Sequence, residues 1–379
     1  MALPLKGVRI LSVEQYGAGP YGTMLLADLG AEVIKIEDKA RGGDVSRSVG
    51  PFTIGEGDSQ FFQTFSKGKK SVCLDLKSED GRAALHKLVA TADAVANNLR
   101  GDQPEKLGLT YEALKQTNKK IVCAHLSAYG RGTERAAWPG YDYLMQAEAG
   151  FMMMTGEPDG PPVRSGLSMV DFHTGSHLAT SLLAGIIGVM RTGEGCDVDV
   201  CLFDTALHQT SYPATWYLNE AHKTERLTRG AHPSIAPSQL FKTKDGWGLL
   251  MCQTPKFWNV FCAITGDEVL TSDTRFATVH ARRENIEALT KRIDEILSER
   301  TTAEWMEILG GKVPFAPVLD LAGALDSPYA EAIGMIETVE HPSMANGLRT
   351  LASPFRVNGE RARSSRAPMM GEHNDELLK

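Results

Sequence analysis

The N-terminal segment constrains the fold most strongly, because it alternates between strand and helix patterns over a short length. A buried strand, GVRILSVE, leads through the turn YGAGPYG into an amphipathic helix, GTMLLADLGA, and a second buried strand, EVIKIE, follows. A strand, a helix and a strand over this length predict a right-handed βαβ crossover. Further alternation continues as far as KIVCAHLSAYG. We therefore predict an α/β fold whose parallel sheet is covered by helices on both faces.

The later part of the chain has a different pattern of predicted helices and strands. Residues 141–193 are helical in pattern, with glycines at the breaks, and a strand and a helix follow in CDVDVCLFDTALHQT. After about residue 215, two short strand patterns joined by a Lys-Asp-Gly turn precede a series of amphipathic helices. This change predicts a separate, smaller α+β domain.

Composition excludes several classes of function. The chain has 379 residues and a formal net charge of −7, which argues against a nucleic-acid partner. No apolar run approaches the roughly 18 residues that a membrane helix needs, and the N-terminus lacks the features of a signal peptide. The six cysteines are dispersed without a CxxC pair. We expect a soluble cytoplasmic protein with free thiols, no disulfide, no structural zinc and no membrane association.

The turn GAGPYG places Gly17, Gly19 and Gly22 in a G-x-G-x-x-G frame between a strand and a helix, and Glu37 ends the next strand. This context is typical of dinucleotide binding and would suit a flavin- or NAD-dependent oxidoreductase. Against it, a charge and an amide, in VEQY, stand between the strand and the first glycine. Any tight turn into a helix also favours glycine, and a helix N-terminus accepts many anionic ligands. Both interpretations stay open at this point.

A set of collinear motifs carries a resemblance over nearly the whole chain. They include NNLRGDQPEKLGLTYEAL, GYDYLMQAEAG, GEPDGPPVRSG, VDFHTG and the final GEHNDELL. Together with the N-terminal unit, these motifs resemble the class III CoA-transferases, the superfamily of carnitine–CoA transferase, formyl-CoA transferase and α-methylacyl-CoA racemase.

The resemblance implies a fold, an assembly and a ligand. A large Rossmann-like, CoA-binding domain is expected at residues 1–205 and 330–379, a small α+β domain at 225–320, and linkers at 206–224 and 321–329. Two subunits would form an interlocked homodimer. Coenzyme A or an acyl-CoA would bind as a substrate, with no prosthetic group, and small carboxylic acids would be the other partners. The glycine turn would then lie beside coenzyme A, near the thioester.

Asp171, in PVRSGLSMVDFHTG, has two interpretations that are compatible. An aspartate before a helix is a favoured N-cap. The resemblance matches Asp171 to the family's catalytic aspartate, which implies a nucleophile that forms an aspartyl anhydride and then an aspartyl-CoA thioester. We expect the helix N-terminus to keep this carboxylate ionised, and backbone N–H groups of Gly17–Ala18 and the Gly175 region to stabilise the oxyanion.

The racemase branch of the family pairs this aspartate with a histidine. The matching position here is Tyr141, so one of the two bases of a proton-swapping mechanism is missing. His173 and His177 could replace it, although both also fit as ordinary polar positions of the following helix. We therefore favour a CoA-transferase over a racemase or epimerase; a catalytically silent CoA-binding protein is a further alternative.

The resemblance also suggests contacts to the substrates. Basic residues should meet the phosphates of coenzyme A, and the residues around them should meet the adenine, pantetheine and thioester. The predicted coenzyme A contacts are Gly17, Ala18, Lys39, Arg41, Leu74, Asp75, Lys77, Asn98, Leu99, Arg100, Lys106, Tyr141 and Asp142. Arg164, Arg229 and His232 are candidates to hold the second carboxylate of a dicarboxylic acid such as succinate.

Overall fold

The computed structural model describes residues 3–379, which fall into two compact units. The first unit combines the residues up to Ala149 with Gly166–Ser211 and Pro328–Lys379. The second unit consists of Gly150–Ser165 and Tyr212–Ser327. The chain therefore leaves the first unit twice and returns to it twice.

The strands belong to one large sheet and three small ones. In chain order they are β1 (Arg9–Val13), β2 (Glu32–Glu37), β3 (Lys70–Cys73), β4 (Ala94–Asn97), β5 (Val122–Ser127), β6 (Cys196–Cys201), β7 (Ser238–Lys242), β8 (Trp247–Met251), β9 (Phe315–Pro317), β10 (Ile336–His341), β11 (Met344–Leu351), β12 (Arg356–Val357) and β13 (Glu360–Arg361).

Helices connect and cover these strands. In chain order they are α1 (Ala18–Asp28), α2 (Gln60–Ser66), α3 (Glu79–Val89), α4 (Tyr111–Leu114), α5 (Asp142–Glu148), α6 (Phe151–Met154), α7 (Met169–Thr192), α8 (Leu202–Gln209), α9 (Ser211–Glu220), α10 (Pro255–Thr265), α11 (Glu268–Ser272), α12 (Val279–Glu284), α13 (Ile286–Leu297), α14 (Thr302–Leu309), α15 (Leu321–Leu325), α16 (Pro328–Ala332) and α17 (Asn374–Leu377). Among residues 3–379, every helix falls short of the length and apolar character that crossing a bilayer requires.

The large sheet of the first unit has six strands in the order β3-β2-β1-β4-β5-β6, and its pairs are all parallel. The order reverses between β1 and β4, where Ile10 pairs with Ala94 and Val13 with Asn97. In open α/β sheets, ligands bind at such a reversal, outside the carboxyl ends of the strands. The predicted α/β class with a parallel sheet is confirmed.

The strands of this sheet form because they are almost continuously apolar. Leu11, Ile34, Val72, Val95 and Cys123 are completely buried on neighbouring strands. A parallel sheet needs such strands because helices cover both of its faces. The packed core holds the carboxyl ends of β1 and β4 side by side and so fixes the position of the loops that follow them.

The second unit has its own core. Its antiparallel sheet has the order β7-β8-β9, and Phe241, Leu250 and Phe315 on these strands pack with Phe261 and Leu289 on the helices. Antiparallel strands with a single packed face are typical of an α+β arrangement.

The short segment 150–165 lies in the second unit, whereas the sequence-based boundaries placed it in the large domain. Hydrogen bonds explain the grouping. The side chain of Arg226 donates to the carbonyl oxygens of Gly160 and Pro161 at 2.7 and 2.8 Å, and the backbone N–H of Arg229 donates to Glu157 at 2.8 Å. These contacts join residues 65 to 72 positions apart, which the local pattern of the chain does not reveal.

Candidate active site

A cavity of about 450 Å³ opens where the loops after β1 and β4 meet, at the reversal of the large sheet. Its lining includes many of the predicted contacts, namely Gly17, Ala18, Arg41, Lys77, Asn98, Leu99, Arg100, Tyr141 and Asp171. An adjoining cavity of about 180 Å³ shares Arg41, Lys77 and Leu99 with it and adds Leu74 and Asp75. Nine of the fourteen predicted site residues line the first cavity and two more line the second, so the structure brings eleven of them together.

Lys39, Lys106 and Asp142 do not line either cavity. Lys106 pairs with Asp102 at 2.7 Å on the exposed surface, and Lys39 begins a short helical turn. Asp142 is 3% exposed, because the carboxylate points into the protein. Residues close to these three in the sequence do line the cavities, but Lys39, Lys106 and Asp142 themselves do not.

The glycine turn faces the carboxyl group of Asp171. A β-carbon added to Gly17 would lie 3.0 Å from Oδ2 of Asp171, and one added to Gly19 would lie 2.7 Å from the side chain of Asn98. A β-carbon at Gly22 would overlap the carbonyl oxygen of Gly175 on α7. The glycine frame therefore allows α1 and α7 to pack closely and leaves room for the Asp171 carboxyl group. This use of the three glycines needs no dinucleotide.

The position of Asp171 differs from the predicted cap. Helix α7 begins at Met169, its N-cap residue is Ser168, and Asp171 is the third residue of the first turn. Only the first N–H groups of a helix lack an intrahelical partner, so Gly175, one turn further on, is not a free donor. It is buried against α1 instead. Ala18, the first residue of α1, keeps the N-terminal position that an oxyanion donor requires.

Burial and, to a smaller extent, the nearby carboxylate of Asp142 together raise the pKa of Asp171 to about 7. The expectation that the helix N-terminus keeps this group ionised was therefore wrong. Desolvation of a carboxylate in a low-dielectric site outweighs the favourable helix end. Asp171 is poised to exist in both protonation states near neutral pH.

Buried charged residues that sequence reasoning missed stabilise the turn between β1 and α1. Lys35, in the middle of β2, is completely buried and contacts Asp44 at 2.7 Å and the carbonyl oxygen of Glu14 at 2.8 Å. Asp44 in turn accepts the backbone N–H of Tyr16 at 3.0 Å. Tyr16 has a left-handed φ of 68°, a strained conformation for a residue with a β-carbon. The lysine within EVIKIE was the available signal, since a central parallel strand rarely buries a charge without a partner.

An aromatic cluster flanks Asp171, and it too was missed. The ring of Tyr16 lies 5.2 Å from that of Phe61 and 6.3 Å from that of Tyr141, while Phe172, next to Asp171 in the chain, lies 5.9 Å from Phe65. The sequence signal is the four-residue spacing of Phe61 and Phe65 in FFQTF, which places both rings on one face of α2. These rings supply an apolar wall that lowers the local dielectric.

The other polar candidates have structural partners. His173 contacts the carbonyl oxygen of Met169 at 2.7 Å, and His177 lies 3.2 Å from Thr205. In the second unit, Arg229 makes two contacts to Asp294, at 2.9 and 2.8 Å, and His232 lies 3.2 Å from Ser234. Within residues 3–379, no group of three or more potential ligand side chains is arranged to hold a metal ion.

Arg164 donates to the carbonyl oxygen of Ser165 at 2.9 Å and, like Arg229 and His232, belongs to the second unit. A cavity of that unit, about 820 Å³, has Arg229, His232 and Lys242 in its lining, together with the acidic side chains of Glu287 and Asp294. Because the arginine is already neutralised by a bidentate partner, it is a weaker candidate for a second substrate carboxylate than its sequence position implied.

Comparisons with known proteins agree over nearly the whole chain. The family model described as CoA-transferase family III matches residues 5–374. The chain is 32% identical over 389 aligned positions to a succinate–glutarate CoA-transferase of Agrobacterium fabrum, covering 99% of this chain and 95% of that protein. It is also 32% identical to an acetyl-CoA:oxalate CoA-transferase of Acetobacter aceti, covering 94% and 90% of the two chains.

A solved structure agrees in the same way. The crystal structure of a CAIB/BAIF family protein from Brucella suis superposes with a TM-score of 0.85 at 31% identity, covering 100% of this chain and 99% of that one. The matched residues include those of both compact units.

Proposed function

The chain belongs to CoA-transferase family III, and from this premise we propose that Asp171 carries the transfer of coenzyme A from an acyl-CoA donor to a carboxylic acid. One observation carries the proposal. The Asp171 carboxyl group opens into the cavity at the sheet reversal, and its Oδ2 lies 3.0 Å from the point where Gly17 would bear a side chain. A thioester can reach this oxygen because the residue opposite it has no side chain.

The chemistry is an exchange of one thioester for another. The Asp171 carboxylate attacks the donor carbonyl, forms an anhydride and expels coenzyme A as a thiolate. The thiolate then attacks the Asp171 carbonyl, forms an aspartyl-CoA thioester and releases the donor acid. The acceptor carboxylate attacks this thioester, and the returning thiolate takes the acceptor acyl group and regenerates Asp171. Covalent catalysis of this kind divides one difficult step into easier ones.

The pocket supports these steps electrostatically. The N–H groups at the start of α1 lie in the turn that faces Asp171, where a tetrahedral oxyanion would form. The burial that raises the pKa of Asp171 also makes its carboxylate more basic, and therefore a stronger nucleophile once it is ionised.

We propose that coenzyme A occupies the two adjoining cavities as a substrate, with no prosthetic group. Arg41, Lys77 and Arg100, which line these cavities, would meet its phosphates, and Leu99 would meet its apolar portion. Lys39 and Lys106 line neither cavity, so they would contact only groups of coenzyme A that extend beyond the cavities. The relatives named above act on succinate, glutarate and oxalate, so short dicarboxylic acids are the first acceptors to test.

The cavity does not favour a racemase. Two-base proton exchange needs a second general base opposite Asp171. Within residues 3–379, no histidine lines this cavity, and Tyr141 is part of its wall. The sequence resemblance matches Tyr141 to the racemase histidine. A racemase would incorporate solvent deuterium into a 2-methylacyl-CoA, and we expect no such incorporation.

We further propose the interlocked homodimer. Large apolar side chains are strongly exposed in the isolated chain, among them Met190 at 81% and Leu218 at 78%. Large apolar side chains that are exposed in an isolated chain are typical of a protein–protein interface. Sedimentation velocity at assay concentration is expected to give a dimer, and a monomer that retains full activity would contradict this proposal.

The test of the proposed function is an acyl-exchange assay. Succinyl-CoA is offered with glutarate and with oxalate as acceptors, and acyl-CoA products are separated by chromatography. We expect a new acyl-CoA to form without ATP, and Asp171→Ala to abolish its formation. An Asp171→Ala enzyme that still transfers coenzyme A at the wild-type rate would refute the proposal.

A further inference from the structure

Asp142 and Gln146, two buried residues of α5, contact the start of the helix that carries Asp171. We infer that this pair, here called the α5 clamp, is a positioning device that fixes the Asp171 carboxyl group against the glycine turn. The inference rests on the proposed function of Asp171. It assigns Asp142 a different role from the substrate contact that its sequence motif suggested.

The contacts of Asp142 account for both of its carboxylate oxygens. Oδ2 accepts the backbone N–H of Asp171 at 2.9 Å, and Oδ1 accepts from Nε2 of Gln146 at 2.6 Å. Asp142 is 3% exposed and Gln146 is 1% exposed. Because Asp142 is buried and lines neither cavity, its carboxylate serves the protein donors rather than a bound substrate.

The clamp holds the start of α7 at two points. The N-cap residue Ser168 makes no side-chain hydrogen bond to the helix, so α7 lacks the usual cap. Instead Asp142 caps the third N–H of α7 from another helix, and Gln146 donates to the carbonyl oxygen of Leu167 at 3.3 Å. The two contacts bracket the first turn of α7, which is the turn that carries Asp171.

Tight positioning matters because Asp171 has little freedom of approach. Its Oδ2 lies 3.0 Å from the β-position of Gly17, so a small shift of the first turn would close the gap or move the oxygen out of line with a thioester. Misplacement of a reacting group by about 1 Å can reduce a rate by roughly 100-fold.

The clamp also sets the charge that Asp171 experiences. The other titratable or charged side chains around the pocket and the start of α7 are Tyr16, Tyr21, Arg41, Lys77, Arg100, Tyr141 and His173. Among the charged neighbours, the carboxylate of Asp142 is the one that raises the pKa of Asp171, after burial. A single side chain therefore both places the nucleophile and keeps it basic.

The test compares three variants in the full-length enzyme by kcat, KM and the pH dependence of kcat/KM. Asp142→Asn keeps the shape of the side chain and removes its charge. The acid limb of the profile of kcat/KM against pH is therefore expected to move to lower pH in this variant. Asp142→Ala also removes the acceptor, and we expect kcat to fall roughly 100-fold with an unchanged KM for acyl-CoA. The kcat of Gln146→Leu should lie between that of the wild type and that of Asp142→Ala.

Asp197→Asn is the matched control. Asp197 also accepts a backbone N–H from another element, that of Tyr111 at 2.9 Å, but it does not line the cavity. This variant is expected to lose stability without moving the acid limb. Melting curves for every variant separate misfolding from mispositioning, and Asp142→Asn serves as the second variant if Asp142→Ala does not fold.

Two results would overturn the inference. One is an Asp142→Ala enzyme whose KM for acyl-CoA rises while kcat is unchanged, because this would make Asp142 a substrate contact. The other is an acid limb in Asp142→Asn that coincides with that of the wild type. Failure of the proposed function is recognised separately, by transfer activity that survives in Asp171→Ala.

Discussion

The N-termini of α1 and α7 lie against each other, yet their sequences have opposite character. The start of α1 carries a glycine frame typical of nucleotide binding, whereas the start of α7 carries a single acidic residue between apolar ones. In the structure the glycines of α1 allow close packing and leave space, and the proposed chemistry belongs to Asp171 on α7. A conspicuous motif can thus serve mainly to accommodate a less conspicuous neighbour.

The same two N-termini differ in how they are supported. The turn before α1 is held from below by Asp44 and Lys35, a buried ion pair at 2.7 Å. The first turn of α7 is held from the side by Asp142, which brings a second negative charge close to Asp171. The carboxylate of Asp44 is neutralised by Lys35, whereas within residues 3–379 the carboxylate of Asp142 has no such cation as a partner. Burial and, after it, the charge of Asp142 therefore displace the titration of Asp171 towards neutral pH.

The largest expected effect is on catalysis. Asp171→Asn should lower the rate of coenzyme A transfer by about 1,000-fold or more, since it removes the nucleophile while keeping the shape. The control is Asp204→Asn, because Asp204 is also the third residue of a helix, α8, but is exposed. The control should transfer coenzyme A at the wild-type rate; equal losses in both variants would indicate a general effect of removing an acid from a first turn.

The next effect is on stability, and its sign follows from the pKa of Asp171. The folded-state pKa of about 7 lies above the unfolded value of about 3.9, so the folded state binds the proton more tightly. Wild-type stability should therefore fall as the pH rises between these values. Asp171→Asn lacks this loss, so its unfolding free energy should exceed that of the wild type above about pH 7, by up to about 4 kcal/mol.

Urea unfolding of both proteins across the pH range measures this difference. The advantage of Asp171→Asn should shrink as the pH falls and vanish near the unfolded pKa of about 3.9. An advantage that is constant with pH would contradict a raised pKa, and would point to a packing effect of the amide.

The packing of α1 against α7 predicts a third effect. Gly22→Ala should destabilise the protein by about 1–3 kcal/mol, because the new β-carbon overlaps the carbonyl oxygen of Gly175. Gly188→Ala, on α7, is the control, since nothing lies within 4 Å of its β-position. The control should be neutral or stabilising by about 0.5–1 kcal/mol. Equal stability of the two variants in urea unfolding would show that the helices have room to separate.

The smallest effect concerns Gly17, which faces the nucleophile itself. Its φ of −109° is accessible to alanine, so Gly17→Ala should fold normally. Its β-carbon would lie 3.0 Å from Oδ2 of Asp171, and we expect a loss of about 10-fold in kcat from displacement of that oxygen. Steady-state kinetics together with a melting curve measure both quantities, and an unchanged kcat would mean that the carboxyl group approaches its substrate from another side.

Local patterns predicted the elements that form the site but not its connections. The apolar strands β1 and β2 and the helix between them were readable from periodicity, and the sequence resemblance pointed to Asp171. The contact between Asp142 and Asp171 joins residues 29 positions apart. The pKa of Asp171 depends on that contact and on the burial that the fold creates, and neither is encoded in the neighbouring residues.

The central claim is that an oxygen of Asp171 is exchanged with the substrates during transfer. The most direct measurement supplies an acceptor acid labelled with heavy oxygen in its carboxylate and follows the mass of the peptide that contains Asp171. In the proposed sequence, the bridging oxygen of the second anhydride comes from the acceptor and stays on Asp171, so the peptide should gain the label, and the released donor acid should acquire it in later turnovers. Full transfer of coenzyme A with an unlabelled Asp171 peptide would contradict the account.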